Sequence, residues 1–394
     1  MHPYIEFVNP HLGKLITEIG LGKRFQRGQG VYLYDHEGDQ YLDCIAAYGA
    51  LPFGYNPPEI WQALHGIESR QEPSFIQPSL LEAAGELAAR LIAVAPPGLQ
   101  YVTFANSGAE AVEAAFKLVR AKTGKPAILS TRNSFHGKTL GALSATGNEN
   151  YQKVFRAPVE GFRYIPYGDP TALEEYLKEY AHDTAAFIVE PIQGEGGIVE
   201  PPAGYLRKVQ ELCSKYGVLT IFDEIQTGLG RTGTMFACEQ EGVTPDVMVV
   251  AKALGGGLIP IGAALCTEDV YTEDFGHKHS STFAGNTLGA RAGLAVLEQL
   301  TKDGGALLQA VQEKGAKLKA GLEEVARKYP QVVKAIRGRG LMLGIEFANS
   351  RTPYPHSLLG VMAEQELLTP MVASYLLNVE KVRVAPTLNG ASVI

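Results

Sequence analysis

Lys252 stands inside an apolar stretch, VVAKALGGGLIPIGAAL (residues 249–265), shortly before three consecutive glycines, and no acidic residue lies in that stretch. Such a lysine can extend its ammonium to the surface from the end of a strand. Alternatively, it can attack a carbonyl and form a Schiff base, which requires a neutral amine and an apolar wall. The glycines would let a flat cofactor approach the backbone closely. A P-loop is excluded, because its lysine follows the glycines instead of preceding them.

A pair of acids, Asp223 and Glu224, follows the apolar run VLTIF. In open α/β sheets the carboxyl ends of the strands border the ligand crevice. A carboxylate at that place could hold a proton on a ring nitrogen and keep a heterocycle cationic. The alternative interpretation is a pair of solvated loop acids.

Two further segments could hold a cofactor. FANSGAEAVEAA places Ser107 and Gly108 between a strand and a helix, where free amides and the positive helix end favour a phosphate, although a plain N-cap has the same pattern. NSFHGKTLG offers Phe135 and His136 as a flat surface for stacking a ring, or Phe135 as a core aromatic. A phosphate cradle, a stacking surface, an acid for a ring nitrogen and a Schiff-base lysine together predict pyridoxal 5'-phosphate.

Other cofactors are disfavoured by the sequence. TGLGRTG contains the GxGxxG spacing at Gly228, Gly230 and Gly233, but no clear helix follows it, so a dinucleotide fold is not expected. His277 and His279 have no carboxylate or cysteine at ligand spacing, which favours a polar loop, and we predict no metal site. The four cysteines form no CxxC pair and are expected to be buried thiols: Cys44, Cys213, Cys238 and Cys266.

Composition sets the broad class. The chain has 394 residues, of which 45% are hydrophobic and 20% charged, which is typical of globular proteins. A net charge of -7 gives no basic footprint for nucleic acid. No apolar run reaches the roughly 18 residues of a membrane helix, and the N-terminus lacks a signal-peptide pattern. A cytoplasmic location is therefore expected.

Helices and short apolar strands alternate from about residue 79 onwards. The strands AILS, AAFIVEPI, VLTIFDEI, DVMVVAK and GAALC lack polar alternation, as expected when both faces of a sheet are covered. Among the helices, one is predicted to carry Leu80, Ala84, Leu87 and Leu91 on one face. Another pairs Glu113 with Lys117 at i, i+4. This pattern predicts an α/β fold with a mostly parallel sheet covered by helices.

Three regions follow from these patterns. Residues 1–45 form an N-terminal segment with a hairpin at VYLYDHEGDQYLD, and residues 46–290 form a large cofactor-binding domain. Residues 291–394 form a smaller α+β domain, which ends in a predicted strand, Asn-Gly turn and strand. Because the chain stops inside an apolar run, we expect this domain to be incomplete and the chain to be a fragment of a longer protein.

Nearly the whole sequence resembles the class III (ω-amino) aminotransferases of fold type I. The resemblance rests on NSGAEAVEAA, FHGKTLGALSATG, VEPIQGEGG, FDEIQTGLGRTG, PDVMVVAKALGGGLIPIGA and STFAGNTLG, in this order. Putrescine aminotransferases look most similar, because ornithine-type relatives usually have Arg in place of Lys138. The resemblance implies transfer of an amino group from a diamine or ω-amino acid to a 2-oxo acid such as 2-oxoglutarate or pyruvate.

The same resemblance assigns roles by position. Lys252 would bind the cofactor aldehyde and later move a proton, Asp223 would pair with the ring nitrogen, and Gln226 would bond the ring's phenolic oxygen. Phe135 would stack on the ring, with His136 beside it. The phosphate would be held by Ser107, Gly108 and Ala109 of one subunit and by Thr282 of the neighbouring subunit, which implies a homodimer. The substrate side would be lined by Tyr48, Glu190 and Glu195.

One element of the family pattern is ambiguous. The family's carboxylate-binding arginine lies in a strand resembling RxxPPL, and VRVAP (382–386) would nominate Arg383. PTLNGASVI, however, resembles the stretch that precedes this motif, which places the arginine after Ile394. We expect the second register. Two alternative functions share Lys252 and Asp223: an aminomutase, racemase or decarboxylase, and a cofactor-binding domain of a larger biosynthetic protein.

Overall fold

The structure is a computed structural model that describes residues 2–348, 368–387 and 392–394. Its strands are β1 (Phe25–Gln29), β2 (Tyr32–Asp35), β3 (Gln40–Asp43), β4 (Leu99–Ala105), β5 (Ala127–Thr131), β6 (Phe162–Ile165), β7 (Thr184–Val189), β8 (Leu219–Asp223), β9 (Val247–Val250), β10 (Gly262–Thr267), β11 (Val333–Arg339), β12 (Met342–Phe347) and β13 (Val382–Arg383).

The helices are α1 (Pro10–Glu18), α2 (Ala46–Gly49), α3 (Pro58–Arg70), α4 (Glu82–Val94), α5 (Gly108–Thr123), α6 (Leu140–Ala145), α7 (Glu149–Gln152), α8 (Pro170–Tyr180), α9 (Tyr205–Tyr216), α10 (Glu273–Lys278), α11 (Thr287–Thr301), α12 (Ala306–Lys328) and α13 (Leu368–Asn378). A π-helical turn spans Tyr4–Val8. Within these described residues no helix is long and apolar enough to cross a membrane.

A seven-stranded sheet carries the order β4-β10-β9-β8-β7-β5-β6. The pairs β5–β6, β5–β7, β7–β8 and β8–β9 are parallel, and only β10 runs against its two neighbours. The predicted α/β fold with a mostly parallel sheet is therefore confirmed. Strand β6 was not predicted from the sequence.

Both faces of this sheet are covered, which explains why its strands have continuous apolar runs. In β9, Met248 and Val250 pack in the core with α4, α9 and α11. Their neighbours Val247 and Val249 pack in the opposite core with α5. Each fully buried aliphatic side chain of this kind stabilises the fold by about 1.5–3 kcal/mol relative to exposure.

The carboxyl ends of β4, β7, β8 and β9 meet at one edge, because these strands point in the same direction. Ser107 lies just after β4 and Glu190 just after β7, while Asp223 ends β8 and Lys252 follows β9. The topology therefore gathers the predicted chemical residues at the edge where open α/β sheets bind ligands.

Two smaller sheets lie outside the seven-stranded one. The hairpin predicted over residues 31–43 is present as β2 and β3, and it joins β1 and β13 in a four-stranded sheet. Strands β11 and β12 form an antiparallel pair, to which Val393 adds a single bridge at Glu346. The Asn-Gly turn predicted in the tail lies outside the described residues. The division at residues 45 and 290 stays a prediction.

Three local expectations are wrong. Leu80 precedes α4 and is 93% exposed, so it does not belong to the apolar face that Leu87 and Leu91 form. Cys44 is exposed, in contrast to the other three cysteines, which are buried. Lys117 contacts His279 instead of Glu113, whose carboxylate accepts hydrogen bonds from the segment around α6.

Candidate active site

Lys252 begins a short 3-10 turn (Lys252–Gly255) directly after β9, and its φ of 44° is unusual for a residue with a side chain. A backbone conformation of this kind costs about 1–2 kcal/mol and is found preferentially at functional sites. The side chain is partly buried, and its Nζ forms no hydrogen bond or ion pair with the residues that the structure describes.

The electrostatics of Lys252 favour a neutral amine. Burial lowers its pKa below the ordinary value, although the carboxylates of Glu195, Asp223 and Glu190 act in the opposite direction. Desolvation penalises an ammonium more than an amine, so a larger fraction of this lysine is nucleophilic. The interpretation of Lys252 as the nucleophile stays a prediction.

Asp223 is buried and paired with a buried histidine. Its Oδ2 lies 2.7 Å from Nδ1 of His136, and its Oδ1 accepts a hydrogen bond from the amide of Ile225 at 3.1 Å. Because a carboxylate only accepts, Nδ1 of His136 carries the proton in this contact. The neighbouring Glu224 is buried too, so the interpretation of both acids as solvated loop residues is wrong.

One ring nitrogen of His136 lacks a hydrogen-bond partner among the described residues. This atom, Nε2, is buried. Buried polar groups in native proteins are almost always satisfied. An unsatisfied ring nitrogen next to Asp223 is therefore consistent with a polar group that arrives with a ligand.

Glu190 holds two segments of the site together. One carboxylate oxygen accepts from the amide of Phe135 at 3.0 Å, and the other accepts from the amide of Gly194 at 3.1 Å. Burial raises the pKa of Glu190 to about 7, which the charge of His136 opposes and that of Asp223 assists. This carboxyl group can therefore change its protonation state near neutral pH.

The predicted phosphate cradle is the N-terminus of α5. Ser107 caps this helix, because its Oγ accepts from the amide of Glu110 at 3.2 Å. The first intrahelical hydrogen bond comes from Ala111, so the amides of Gly108 and Ala109 lie ahead of it. A side chain at Gly108 would approach Ile225 to 3.0 Å, which shows how closely this helix end packs against the loop after Asp223.

Thr282 is exposed and lies one residue after Ser281, whose Oγ accepts from Nδ2 of Asn106 at 3.0 Å. The segment around Thr282 is thus tied to the loop that precedes the phosphate cradle of the same chain. Its predicted contact with a neighbouring subunit stays a prediction, since a single chain does not test it.

A cavity of about 300 Å³ lies beside these residues, and we call it the Tyr48 cavity. Its lining includes Tyr48, Glu195, Gln226 and Arg231, but neither Ser107 nor Thr282. Nε2 of Gln226 donates to the carbonyl of Tyr48 at 3.2 Å, and Nη2 of Arg231 donates to the carbonyl of Gly49 at 3.2 Å. Tyr48 is 49% exposed toward this space.

Helix α2 is a left-handed turn that forms one wall of the cavity. Ala46, Ala47 and Tyr48 have φ angles of 48°, 49° and 56°, and Gly49 continues the turn with 89°. Oxygens of Asp43 accept from the amides of Ile45 and Ala46 at 3.1 and 3.2 Å. The hydrogen bonds from Gln226 and Arg231 therefore secure a turn that costs conformational energy.

Arg383, the first candidate for a carboxylate anchor, is already paired. Its Nη1 donates to Oδ1 of Asp43 at 3.2 Å, and Asp43 also accepts from the hydroxyl of Tyr55 at 2.7 Å. Arg231 was not predicted as a functional residue from the sequence, although it follows Asp223 and Gln226 on the same loop.

The fold and these residues together define a pyridoxal-phosphate-dependent transferase of fold type I. Residues 21–388 match the sequence model of the family described as Aminotransferase class-III. The chain belongs to this family.

Individual relatives agree with this assignment. The chain is 43% identical to Aminotransferase PigE of Serratia sp. (strain ATCC 39006) over 350 residues, which cover 87% of this chain and 40% of that protein. It therefore spans less than half the length of that curated relative. Ornithine aminotransferase from Toxoplasma gondii is similar with a TM-score of 0.82 and 30% identity, covering 93% of this chain and 84% of that chain. The omega transaminase from Pseudomonas jessenii in complex with PMP has a TM-score of 0.86 and 27% identity, covering 100% and 90%.

Pyridoxal phosphate is the cofactor of this family, and the residues present fit it. Asp223 offers a buried carboxylate for a ring nitrogen, and Lys252 offers an amine without a partner among the described residues. Gly108 and Ala109 offer amides at a helix N-terminus, where a phosphate is stabilised. The unsatisfied Nε2 of His136 is a further polar position for the same group.

Proposed function

We propose that this chain transfers the amino group of a terminal primary amine, such as a diamine or an ω-amino acid, to a 2-oxo acid. The observation that carries the proposal is the amine of Lys252, whose pKa burial lowers and which lies near the buried carboxylates of Asp223 and Glu190. An amine with a lowered pKa is a better nucleophile and proton carrier than an exposed lysine.

Each residue has a definite task in this proposal. When bound, pyridoxal phosphate supplies an electron sink for the bond-breaking step. Lys252 would hold the aldehyde of the cofactor until the amine arrives, and its Nζ would then carry the proton of the 1,3-shift. Asp223 keeps the ring nitrogen protonated through its negative charge, and His136 fixes the orientation of Asp223 through the 2.7 Å contact.

The remaining residues position the reactants. Gln226 is proposed to donate to the phenolic oxygen of the ring, and Phe135 to cover one ring face. Ser107, Gly108 and Ala109 are proposed to bind the phosphate. Tyr48 and Glu195 line the Tyr48 cavity, where the substrate enters, while Glu190 holds the amide of Phe135 in place.

A diamine such as putrescine is the donor we favour. The support is the sequence: Lys138 stands where ornithine-type relatives usually have Arg, and in the structure its ammonium lies 5.1 Å from the ring centre of Tyr151. The apolar wall of the Tyr48 cavity, which includes Leu318, Leu341 and Met342, suits a methylene chain.

We further propose a homodimer, in which Thr282 contacts the phosphate held by the neighbouring subunit, and a cytoplasmic location. The exposed aromatic pair Phe75 and Phe283, with ring centres 5.1 Å apart, flanks Thr282 and supports a partner surface there. Four free cysteines support a reducing compartment.

The test is an amine-donor screen on the purified protein with pyridoxal phosphate. Putrescine, ornithine and an ω-amino acid are each mixed with 2-oxoglutarate or pyruvate, and the new amino acid is quantified. We expect stoichiometric formation of glutamate or alanine with at least one terminal amine. Donor consumption without a new amino acid would indicate a decarboxylase or mutase instead, and the absence of any turnover would refute the proposal.

A further inference from the structure

Arg231 is a cation in the wall of the Tyr48 cavity that forms no ion pair with the residues that the structure describes. A guanidinium has five N–H donors. Within the described residues, however, the side chain of Arg231 makes one hydrogen bond, to the carbonyl of Gly49 at 3.2 Å. A buried or partly buried cation is normally paired, because its desolvation is costly.

Several other partly buried arginines in the described residues follow that rule, whereas Arg120 donates only to the carbonyl of Pro126 at 3.0 Å. Arg163 donates to both carboxylate oxygens of Asp183, at 2.8 and 2.6 Å. Arg291 pairs with Glu72 and Glu86. Carboxylates raise the pKa of Arg163 and Arg291, whereas burial lowers the pKa of Arg231.

The position of Arg231 connects it to the chemistry. It stands on the loop that carries Asp223 and Gln226, and its side chain contributes to the same lining as Gln226 and Glu195. Its positive charge is one of the causes that lower the pKa of Lys252. Arg231 and Lys252 are therefore near enough to interact electrostatically, although Lys252 itself does not line this cavity.

We propose that Arg231 binds the carboxylate of the 2-oxo acid acceptor, an inference that rests on the proposed transamination. The planar guanidinium matches a carboxylate with two parallel hydrogen bonds, and Leu341 and Met342 contribute apolar side chains to the same lining. A diamine donor is a cation and gains nothing from Arg231. Arg231 thus distinguishes the acceptor from the donor. Both substrates must bind in the same cavity, one after the other.

The experiment separates the two half-reactions of the holoenzyme. In the first, an amine donor is supplied alone and the change in the visible absorbance of the cofactor is followed. In the second, the aminated enzyme is mixed with 2-oxoglutarate and the reverse change is followed. For Arg231→Gln we expect kcat/KM of the second half-reaction to fall by about 10- to 100-fold, from loss of a charge-assisted hydrogen-bonding partner. The first half-reaction should be slowed far less than the second, because a cationic diamine forms no ion pair with Arg231.

Two controls make the result specific. Arg207→Gln removes an exposed arginine whose Nη2 also donates to one carbonyl, that of Glu241 at 2.7 Å, and should change neither half-reaction. Arg231→Lys keeps the charge but not the planar pair of donors, so its acceptor defect should be smaller than that of Arg231→Gln. This variant also decides the question if Arg231→Gln fails to fold.

Binding provides a second measurement. Glutarate, which cannot react, should raise the melting temperature of the wild-type holoenzyme but not that of Arg231→Gln. The inference is overturned if Arg231→Gln slows both half-reactions equally, or if Arg383→Gln produces the acceptor defect and Arg231→Gln does not. Failure of the wild type in the first half-reaction would instead refute the proposed transamination itself.

Discussion

Nδ1 of His136 lies 2.7 Å from Oδ2 of Asp223, and both side chains are buried. The two residues are 87 positions apart, one following β5 and the other ending β8. Because the second carboxylate oxygen is held by the amide of Ile225, the Asp223 side chain has a fixed orientation at the carboxyl edge of the sheet. Its negative charge is thus held at a fixed position, as is needed to keep a proton on a ring nitrogen.

The first prediction concerns this pair. Asp223→Asn keeps the size but removes the charge, and we expect turnover to fall by about 100- to 1,000-fold, the usual cost of losing a preorganised electrostatic group. His136→Ala should lower kcat by about 10-fold, since one charge-assisted hydrogen bond of about 1.5–3 kcal/mol is lost.

Steady-state kinetics and cofactor absorbance measure both effects. His136→Asn, which can still donate a hydrogen bond to Asp223, serves as the conservative variant and should recover part of the activity. Equal activity of His136→Ala and wild type would show that the histidine does not position Asp223.

The second prediction concerns the cofactor-free protein. Lys252→Met removes a partly buried ammonium and keeps the length of the side chain, so we expect the free energy of unfolding at neutral pH to rise by about 1–2 kcal/mol. The folded-state pKa of Lys252 lies below its ordinary value of 10.5, so the unfolded state binds more protons between these two values. Wild-type stability should therefore increase as the pH rises through this window, and the advantage of Lys252→Met should shrink.

Urea unfolding at several pH values measures this effect. Lys208→Met, at an exposed lysine paired with Glu211, is the control and should show neither gain nor pH dependence of this kind. With cofactor present the order should reverse, because only the wild type can bind the aldehyde covalently. A cofactor-free Lys252→Met that is less stable than the wild type at neutral pH would contradict the argument.

The sequence placed the candidate residues in the right elements, because each lies at a strand end or a helix start. Lys252 and Asp223 follow apolar runs that had to be strands, and the parallel topology then gathers their ends at one edge. Ser107 precedes an obvious helix. In each case a local pattern determines both the element and the position of the residue in it.

Long-range contacts could not be read in the same way. Gln226 donates to the carbonyl of Tyr48, 178 positions away, and the exposed environment of Leu80 depends on where α4 begins. Glu113 has Lys117 at the right helical spacing, but it contacts the segment before α6 because that segment folds back on α5. Nothing local in the sequence marks Arg231 as a cation that forms no ion pair with the part of the chain that the structure describes.

The third prediction tests the left-handed turn of α2. Ala47 has φ and ψ of 49°, a conformation that glycine adopts without the steric cost of a Cβ atom. We therefore expect Ala47→Gly to raise the free energy of unfolding by about 0.5–1 kcal/mol. The same substitution at Ala89, which is exposed within the right-handed helix α4, should lower it by about 1 kcal/mol. A higher free energy of unfolding for Ala47→Gly and a lower one for Ala89→Gly would verify the left-handed turn. A lower free energy of unfolding for both variants would contradict it.

The fourth prediction tests the shared active site of the proposed homodimer. Thr282→Asp places an anion where the neighbour's phosphate is proposed to bind, so this variant should lose cofactor affinity. Lys252→Ala is inactive for a different reason. A hybrid of the two chains then has one site with both defects and one site with neither.

Co-expression of the two variants should recover about one quarter of wild-type activity, because half of the dimers are hybrids and each has one intact site. If Thr282 instead acts on the cofactor of its own chain, every site contains one defect and the mixture stays inactive. Light scattering on the same samples establishes that dimers are present, and an active monomer would refute the proposed dimer directly.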